Sequence, residues 1–164
     1  MKKKAFMYSI ALLAIGVLSV TVVFGADMFS GTWKVNSEKT VTSGPRAKGP
    51  SIQKLEAVEN GIRLAGDTVI ANGQKLHQEF TVKFDGKDYP FKSMLDGKPS
   101  TSTSDTISAK KIDDYTLEFT IKMNTTMTVA RNVISKDGKT RTVTQTGTNA
   151  QGQAVNNTIV YEKQ

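Results

Sequence analysis

The fold is decided most clearly by residues 115–123, YTLEFTIKM, in which apolar and polar side chains alternate without an exception. A period of two is typical of a β-strand with one face buried and the other in water. Residues 75–84, KLHQEFTVKF, repeat the pattern with one break. Together the two segments predict an inward-facing apolar set that includes Phe80, Phe84, Leu117 and Phe119.

Tight-turn signals punctuate the rest of the chain. Five Asn-Gly or Asp-Gly pairs begin at Asn60, Asn72, Asp85, Asp96 and Asp137, and these residue types accept the positive φ that hairpin turns require. The predicted strands are 29–37, 51–59, 62–71, 75–84, 87–94, 103–112, 115–123, 126–135, 139–148 and 153–163. About ten antiparallel strands in sequence predict an all-β fold, a single up-and-down barrel, because closure removes the exposed sheet edges.

The segment FSGTWK, residues 29–34, resembles the first strand of the lipocalin and fatty-acid-binding-protein (calycin) superfamily. The ending Val160-Tyr161-Glu162-Lys163 extends the resemblance along the mature chain. It implies a ligand-holding barrel, here an exported bacterial member of unassigned function, in which Trp33 plugs the closed end. Two features depart from that family. Residues 37–50 hold two prolines and two glycines and predict a loop instead of lid helices, and Ile159 stands where the family has a carboxylate-binding Arg.

The N-terminus has the layout of a secretory signal peptide. Three lysines precede an uncharged run over 5–24, which ends in the small residues Gly25 and Ala26. We predict a signal peptide at 1–25 and a periplasmic or secreted β-barrel domain at 26–164. The alternative is an uncleaved anchor, because the run approaches the roughly 20 residues that span a membrane. With no Cys, the chain has neither a lipoprotein acylation site nor a disulfide.

Composition and motifs disfavour several function classes. The formal charge of +7 includes three signal lysines, and without them 19 basic residues stand against 15 acidic ones, scattered and without a basic stripe that would bind nucleic acid. The only histidine, His77, falls on a polar strand face, and Asp113 and Asp114 fall in a turn. We predict that the protein is not an enzyme and has no metal site, cofactor or nucleic-acid partner, and no membrane contact after signal cleavage.

Polar residues on otherwise apolar strand faces are the candidate binding site. Alternation puts Arg131 on one face with Met127 and Val133, and a buried guanidinium requires an anion or several carbonyls. We predict that Arg131, Gln145 and Tyr161 bind a polar or anionic head group. The predicted lining of the ligand's apolar tail is Phe80, Phe84, Leu117 and Phe119. The alternative is that a bulge or the barrel end lets Arg131 reach water.

Two functions remain open at this point. Arg141, Gln145 and Asn157 also fall on apolar faces, a pattern more usual in a wet cavity than in a dry core, and this favours a barrel that binds a small apolar or amphipathic ligand. The second is a structural or interaction protein of the cell envelope with a filled barrel. Interior volume separates them, since a cavity of roughly 300 Å³ or more is typical of binding pockets.

Overall fold

The computed structural model describes residues 26–44, 47, 49–100, 104–123, 126–149 and 152–164. The predicted signal peptide lies outside these residues, and no helix within them is long and apolar enough to cross a membrane. The elements are α1 Ala26–Phe29, β1 Gly31–Val35, β2 Ser51–Val58, β3 Gly61–Val69, β4 Lys75–Lys83, β5 Tyr89–Pro90, β6 Lys92–Leu95, β7 Lys98–Pro99, β8 Thr106–Asp113, β9 Thr116–Met123, β10 Thr126–Ile134, β11 Thr140–Thr148 and β12 Ala154–Lys163.

All twelve strands belong to one antiparallel sheet, in the order β5-β8-β9-β10-β11-β12-β1-β2-β3-β4-β6-β7. Strands that follow one another in sequence are mostly neighbours in space, which confirms the predicted meander. The two ends of the sheet approach each other, since β4 lies against β5 and β8, but β4 and β8 are not hydrogen-bonded neighbours in the described part of the chain. The sheet is therefore a curled, incompletely closed barrel.

Nine of the ten predicted strands are present with shifted ends, but the predicted strand 87–94 is not a single strand. It is divided into β5, which pairs with β8 at one edge of the sheet, and β6, which pairs with β4 near the other. With the two-residue β7, the count in the described residues rises to twelve. The predicted turns are also present. Asn60 and Asp96 have φ of 50° and 49°, values that Asn and Asp tolerate better than most residues. The other three turns have their positive φ at Gly73, Gly86 and Gly138.

Trp33 is buried where the chain enters the barrel. It is 0% exposed, and its indole Nε1 donates to the carbonyl oxygen of Phe29, 2.8 Å away. Phe29, the last residue of α1, is also 0% exposed. The predicted burial of Trp33 is therefore confirmed, although its strand begins at Gly31 and the residues before it are helical.

The facing predicted for β10 is wrong. In the β9–β10 ladder, Asn132 lies opposite Leu117 and Ala130 lies opposite Phe119. Directly opposed residues of an antiparallel pair share a face of the sheet, and Leu117 and Phe119 are buried in the core. Arg131 must therefore point outward, and it is exposed.

Candidate functional site

A cavity of about 170 Å³ lies between the loop after β1 and the inner faces of β2, β3 and β12. Ser37 and Ala47 at its rim are exposed, so the cavity opens to water. Its polar wall consists mainly of hydroxyl groups and one amide. The polar wall includes Thr40, Ser51, Gln53, Thr68 and Tyr161, and Ile159 lies on the apolar side.

The loop after β1 is attached to the sheet at two points. Val41 exchanges two backbone hydrogen bonds with Thr158 of β12, at 2.8 and 2.7 Å. The Gly49 N–H donates to the carbonyl oxygen of Val69, 3.4 Å away, and a Cβ added to Gly49 would lie 2.8 Å from the Val69 Cβ. The predicted loop over 37–50 is thus confirmed in its described residues, and it forms the outer wall of the cavity.

Arg141 lies beneath the cavity and is 2% exposed. Its Nη1 donates to Oδ1 of Asn132 at 3.2 Å, and its Nη2 donates to Oε1 of Gln53. Its guanidinium carbon is 4.1 Å from the ring centroid of Tyr161 and 5.5 Å from that of Trp33. Among the described residues, Nε has no hydrogen-bond partner, and no carboxylate forms a salt bridge with Arg141.

A buried positive charge lies behind the cavity wall at neutral pH, because Arg141 does not line the cavity itself but contacts its lining residues Gln53 and Tyr161. Burial lowers the pKa of Arg141 to about 10, although its electrostatic interaction with Tyr161 acts in the opposite direction. Burial also raises the pKa of the Tyr161 hydroxyl, against the effects of the Arg141 charge and a hydrogen bond with Ser51. Arg141 therefore keeps its proton, and Tyr161 stays a neutral hydroxyl.

Arg141 also fixes the orientation of the Gln53 amide. A guanidinium can only donate hydrogen bonds, so the amide oxygen of Gln53 must face it. The NH₂ group of Gln53 has no partner among the described residues and is available to an acceptor on a ligand. Beside it, the Ser51 Oγ lies 2.6 Å from the Thr68 Oγ1. The wall can therefore offer hydrogen-bond donors to a ligand above a buried positive charge.

The predicted head-group residues are not brought together. Tyr161 lines the cavity, whereas Arg131 lies on the outer face opposite Glu118, and the prediction that it points inward is wrong. Gln145 is on the inner face but accepts a hydrogen bond from Nδ2 of Asn157, 3.2 Å away. A ligand-binding role for Gln145 and Tyr161 stays a prediction.

The residues predicted to line an apolar tail pack against one another instead of lining this cavity. The ring centroid of Phe80 is 5.9 Å from that of Phe119 and 6.2 Å from that of Phe91. Leu117 is fully buried in the same core, and Phe84 is partly buried against it. Their predicted contact with a ligand also stays a prediction.

Sequence reasoning left Arg141 and Gln53 out of the predicted site. Alternation places Arg141 on an inner face, but only the β11–β12 ladder places it directly opposite Tyr161. Gln53 comes from β2 and reaches Arg141 across 88 positions of sequence. A strand-by-strand reading carries no signal for such a contact.

No other cluster of reactive side chains competes with this site. His77 lies on the outer face, as predicted, with Nδ1 2.8 Å from Oδ1 of the exposed Asp67. Within the described ranges, no group of three His, Cys, Asp or Glu side chains is placed to hold a metal ion.

Comparison with known proteins assigns no family. No family model matches the chain, and no curated protein matches it. Among solved structures, it is similar to zebrafish ileal bile acid-binding protein, crystallised with cholic acid, with a TM-score of 0.49 and 13% identity over 84% of this chain and 99% of that one. This likeness is too distant to carry an argument about the ligand.

Proposed function

We propose that the protein is a binding module that holds a small amphipathic molecule, with the ligand's polar end in the cavity above Arg141. The observation that carries the proposal is the buried guanidinium, 2% exposed, with an unpartnered Nε. A buried cation is unfavourable unless an anion or a full set of acceptors compensates it. A ligand acceptor bound at Gln53 and Tyr161 would supply part of that compensation.

We also propose that the module works outside the cytoplasm and by binding alone. The lysine-led apolar run at the N-terminus supports export. The lone histidine on the outer face and the lack of cysteine leave few groups for acid–base or nucleophilic catalysis.

The proposal is tested by titrating the ¹⁵N-labelled mature protein with a mixture of short and long carboxylic acids. We expect saturable amide shifts concentrated at Ser51, Gln53 and Tyr161. Arg141→Met should weaken binding by about tenfold to a hundredfold, the effect of one hydrogen bond to a charged group. Arg131→Met is the matched control, since it removes the same charge from the outer face and should leave binding unchanged.

The second candidate is a structural or interaction protein of the envelope. The packing of Phe80, Phe91 and Phe119 favours it, because these rings contact one another in the core. The cavity volume of about 170 Å³ also favours it, since it is below the roughly 300 Å³ that is typical of binding pockets. If no acid gives saturable shifts while Arg141→Met retains the wild-type circular dichroism spectrum, this second function replaces the first.

A further inference from the structure

We infer that the ligand is a compact organic anion, a short-chain or monocyclic carboxylate, and not a long-chain fatty acid. The inference rests on the proposed function and adds the chemical class of the ligand. It depends on three features of the described residues: the size of the cavity, the filled interior beside it, and the donors on its wall.

The size of the cavity sets an upper limit on the ligand. Its volume of about 170 Å³ corresponds to about six water-sized groups, at about 30 Å³ each. Pockets for drug-sized ligands begin at roughly 300 Å³. A carboxylate with about four to seven carbons fits this space, whereas an acyl chain of about twelve carbons or more does not.

The interior offers no space for a longer tail. Phe80, Phe91 and Phe119 are 8%, 3% and 5% exposed, and their rings are in contact. A tail that entered this region would have to displace close-packed aromatic side chains, and protein cores resist even small increases in volume. The buried part of the ligand must therefore end within the cavity, because a tail that left it at Ser37 and Ala47 would enter water and gain no further burial.

The hydrogen-bond donors on the polar wall favour a ligand that carries hydrogen-bond acceptors, and the positive charge of Arg141 behind the wall favours an anion. The free NH₂ of Gln53 belongs to an amide whose oxygen is bound by Arg141. This contact polarises the amide, so that the guanidinium charge strengthens its N–H groups as donors. The hydroxyls of Ser51, Thr68 and Tyr161 bond to one another, and these two bonds leave one O–H of the three to donate to a ligand. No carboxylate of the described residues lines this cavity to repel an anion.

The test compares benzoate, hexanoate, dodecanoate and benzyl alcohol as separate ligands of the mature protein, with amide shifts as the readout. We expect benzoate and hexanoate to saturate shifts at Ser51 and Gln53, and both to bind at least tenfold more tightly than benzyl alcohol. Dodecanoate, kept below its micelle concentration, should bind no more tightly than hexanoate at these residues, because its extra methylene groups find no further apolar space.

A near-isosteric variant tests the mechanism. Gln53→Glu places a carboxylate against Arg141 without changing the cavity volume, so it should reduce benzoate affinity at least tenfold and leave the fold intact. Gln78→Glu is the matched control. Gln78 of β4 shares the inner face with Gln53, since both lie opposite Gly66, but it does not line the cavity, and we expect less than a threefold change. Equal losses in both variants would overturn the role of Gln53.

The outcomes separate this inference from the proposed function. Dodecanoate binding at the cavity at least tenfold more tightly than hexanoate would overturn the compact ligand and leave the binding module standing. Benzyl alcohol binding as tightly as benzoate would overturn the anion. If none of the four ligands, nor any acid of the broader mixture, binds saturably, both the inference and the proposed function fail.

Discussion

Replacing Trp33 is the sharpest test of how this barrel is held together. The indole is 0% exposed, donates to the Phe29 carbonyl at 2.8 Å, and lies 5.5 Å from the Arg141 guanidinium carbon and 5.3 Å from the Lys163 Nζ. Trp33→Ala therefore removes apolar burial, a hydrogen bond and a ring that faces two cations. No other residue of the described core combines these three contacts.

The expected loss of stability follows from these contacts. Truncating a buried Phe or Trp to Ala costs about 3–5 kcal/mol. The substitution also leaves the Phe29 carbonyl without its hydrogen-bond donor and removes the ring that contacts the buried Arg141 guanidinium. We therefore expect a loss in the upper part of that range, about 4–5 kcal/mol. Trp33→Phe keeps an aromatic ring and loses mainly the hydrogen bond, so we expect a loss of about 1–2 kcal/mol.

The measurement is urea denaturation followed by far-ultraviolet circular dichroism, because the variants lack the chain's only Trp. Wild-type Trp33 fluorescence, recorded separately, should be blue-shifted. The m-value must stay constant for the comparison to hold. A loss below about 1 kcal/mol for Trp33→Ala, with Tyr115→Ala as an exposed aromatic control, would refute the account of the barrel's end given above.

Three further predictions concern turns, strands and acid stability. Gly147→Ala should lower the free energy of unfolding by at least about 2 kcal/mol, because φ is 154° and the new Cβ would lie 2.3 Å from a β10 carbonyl oxygen. Gly138→Ala is the control: its φ is 70° and its Cβ would meet nothing within 4 Å, so it should lower the free energy by about 1–2 kcal/mol. Thermal melts measure both changes. Asn132→Ala removes the acceptor of Arg141 Nη1 and should cost about 1–3 kcal/mol in urea denaturation. The Ser135 hydroxyl, and next the Lys139 backbone N–H, donate hydrogen bonds to the Asp137 carboxylate and lower its pKa below 3.8. The ionised carboxylate therefore stabilises the fold above pH 3.8, and this stabilisation is lost as the pH falls through the lowered pKa. A carboxyl NMR titration with parallel unfolding curves measures both effects.

The strands and turns could be predicted from sequence because their signals are local. Alternation over nine residues and an Asp-Gly pair each specify backbone geometry without reference to the rest of the chain. The face that a strand turns inward is not local information. In β10 the outer face holds Met127 and Val133, which are 55% and 39% exposed, while the inner face holds the buried Asn132. The face that looks more apolar in the sequence therefore points outward.

The candidate site was harder to predict for the same reason. Its elements come from β2, β11, β12 and the loop after β1, and nothing in any one of them marks a pocket. Alternation places Tyr161 on an inner face and so predicts it as part of the site, but the cation beside it is Arg141 on the neighbouring strand, which is not among the predicted site residues. Alternation predicts that Arg131 points inward. The pairing of β10 with β9 places it opposite Glu118 on the outer face, away from the site.

The state of Arg141 bears on the choice between a binding module and a filled structural barrel. Burial lowers its pKa to about 10, so the charged form is less favourable in the folded protein than in water. A barrel that needed only a filled core would be as stable or more stable with an apolar side chain of similar volume there. The charge instead remains beneath the wall that offers the free Gln53 amide to the cavity. This arrangement weakens the fold, and under the proposed function an anion bound at the cavity offsets part of that cost.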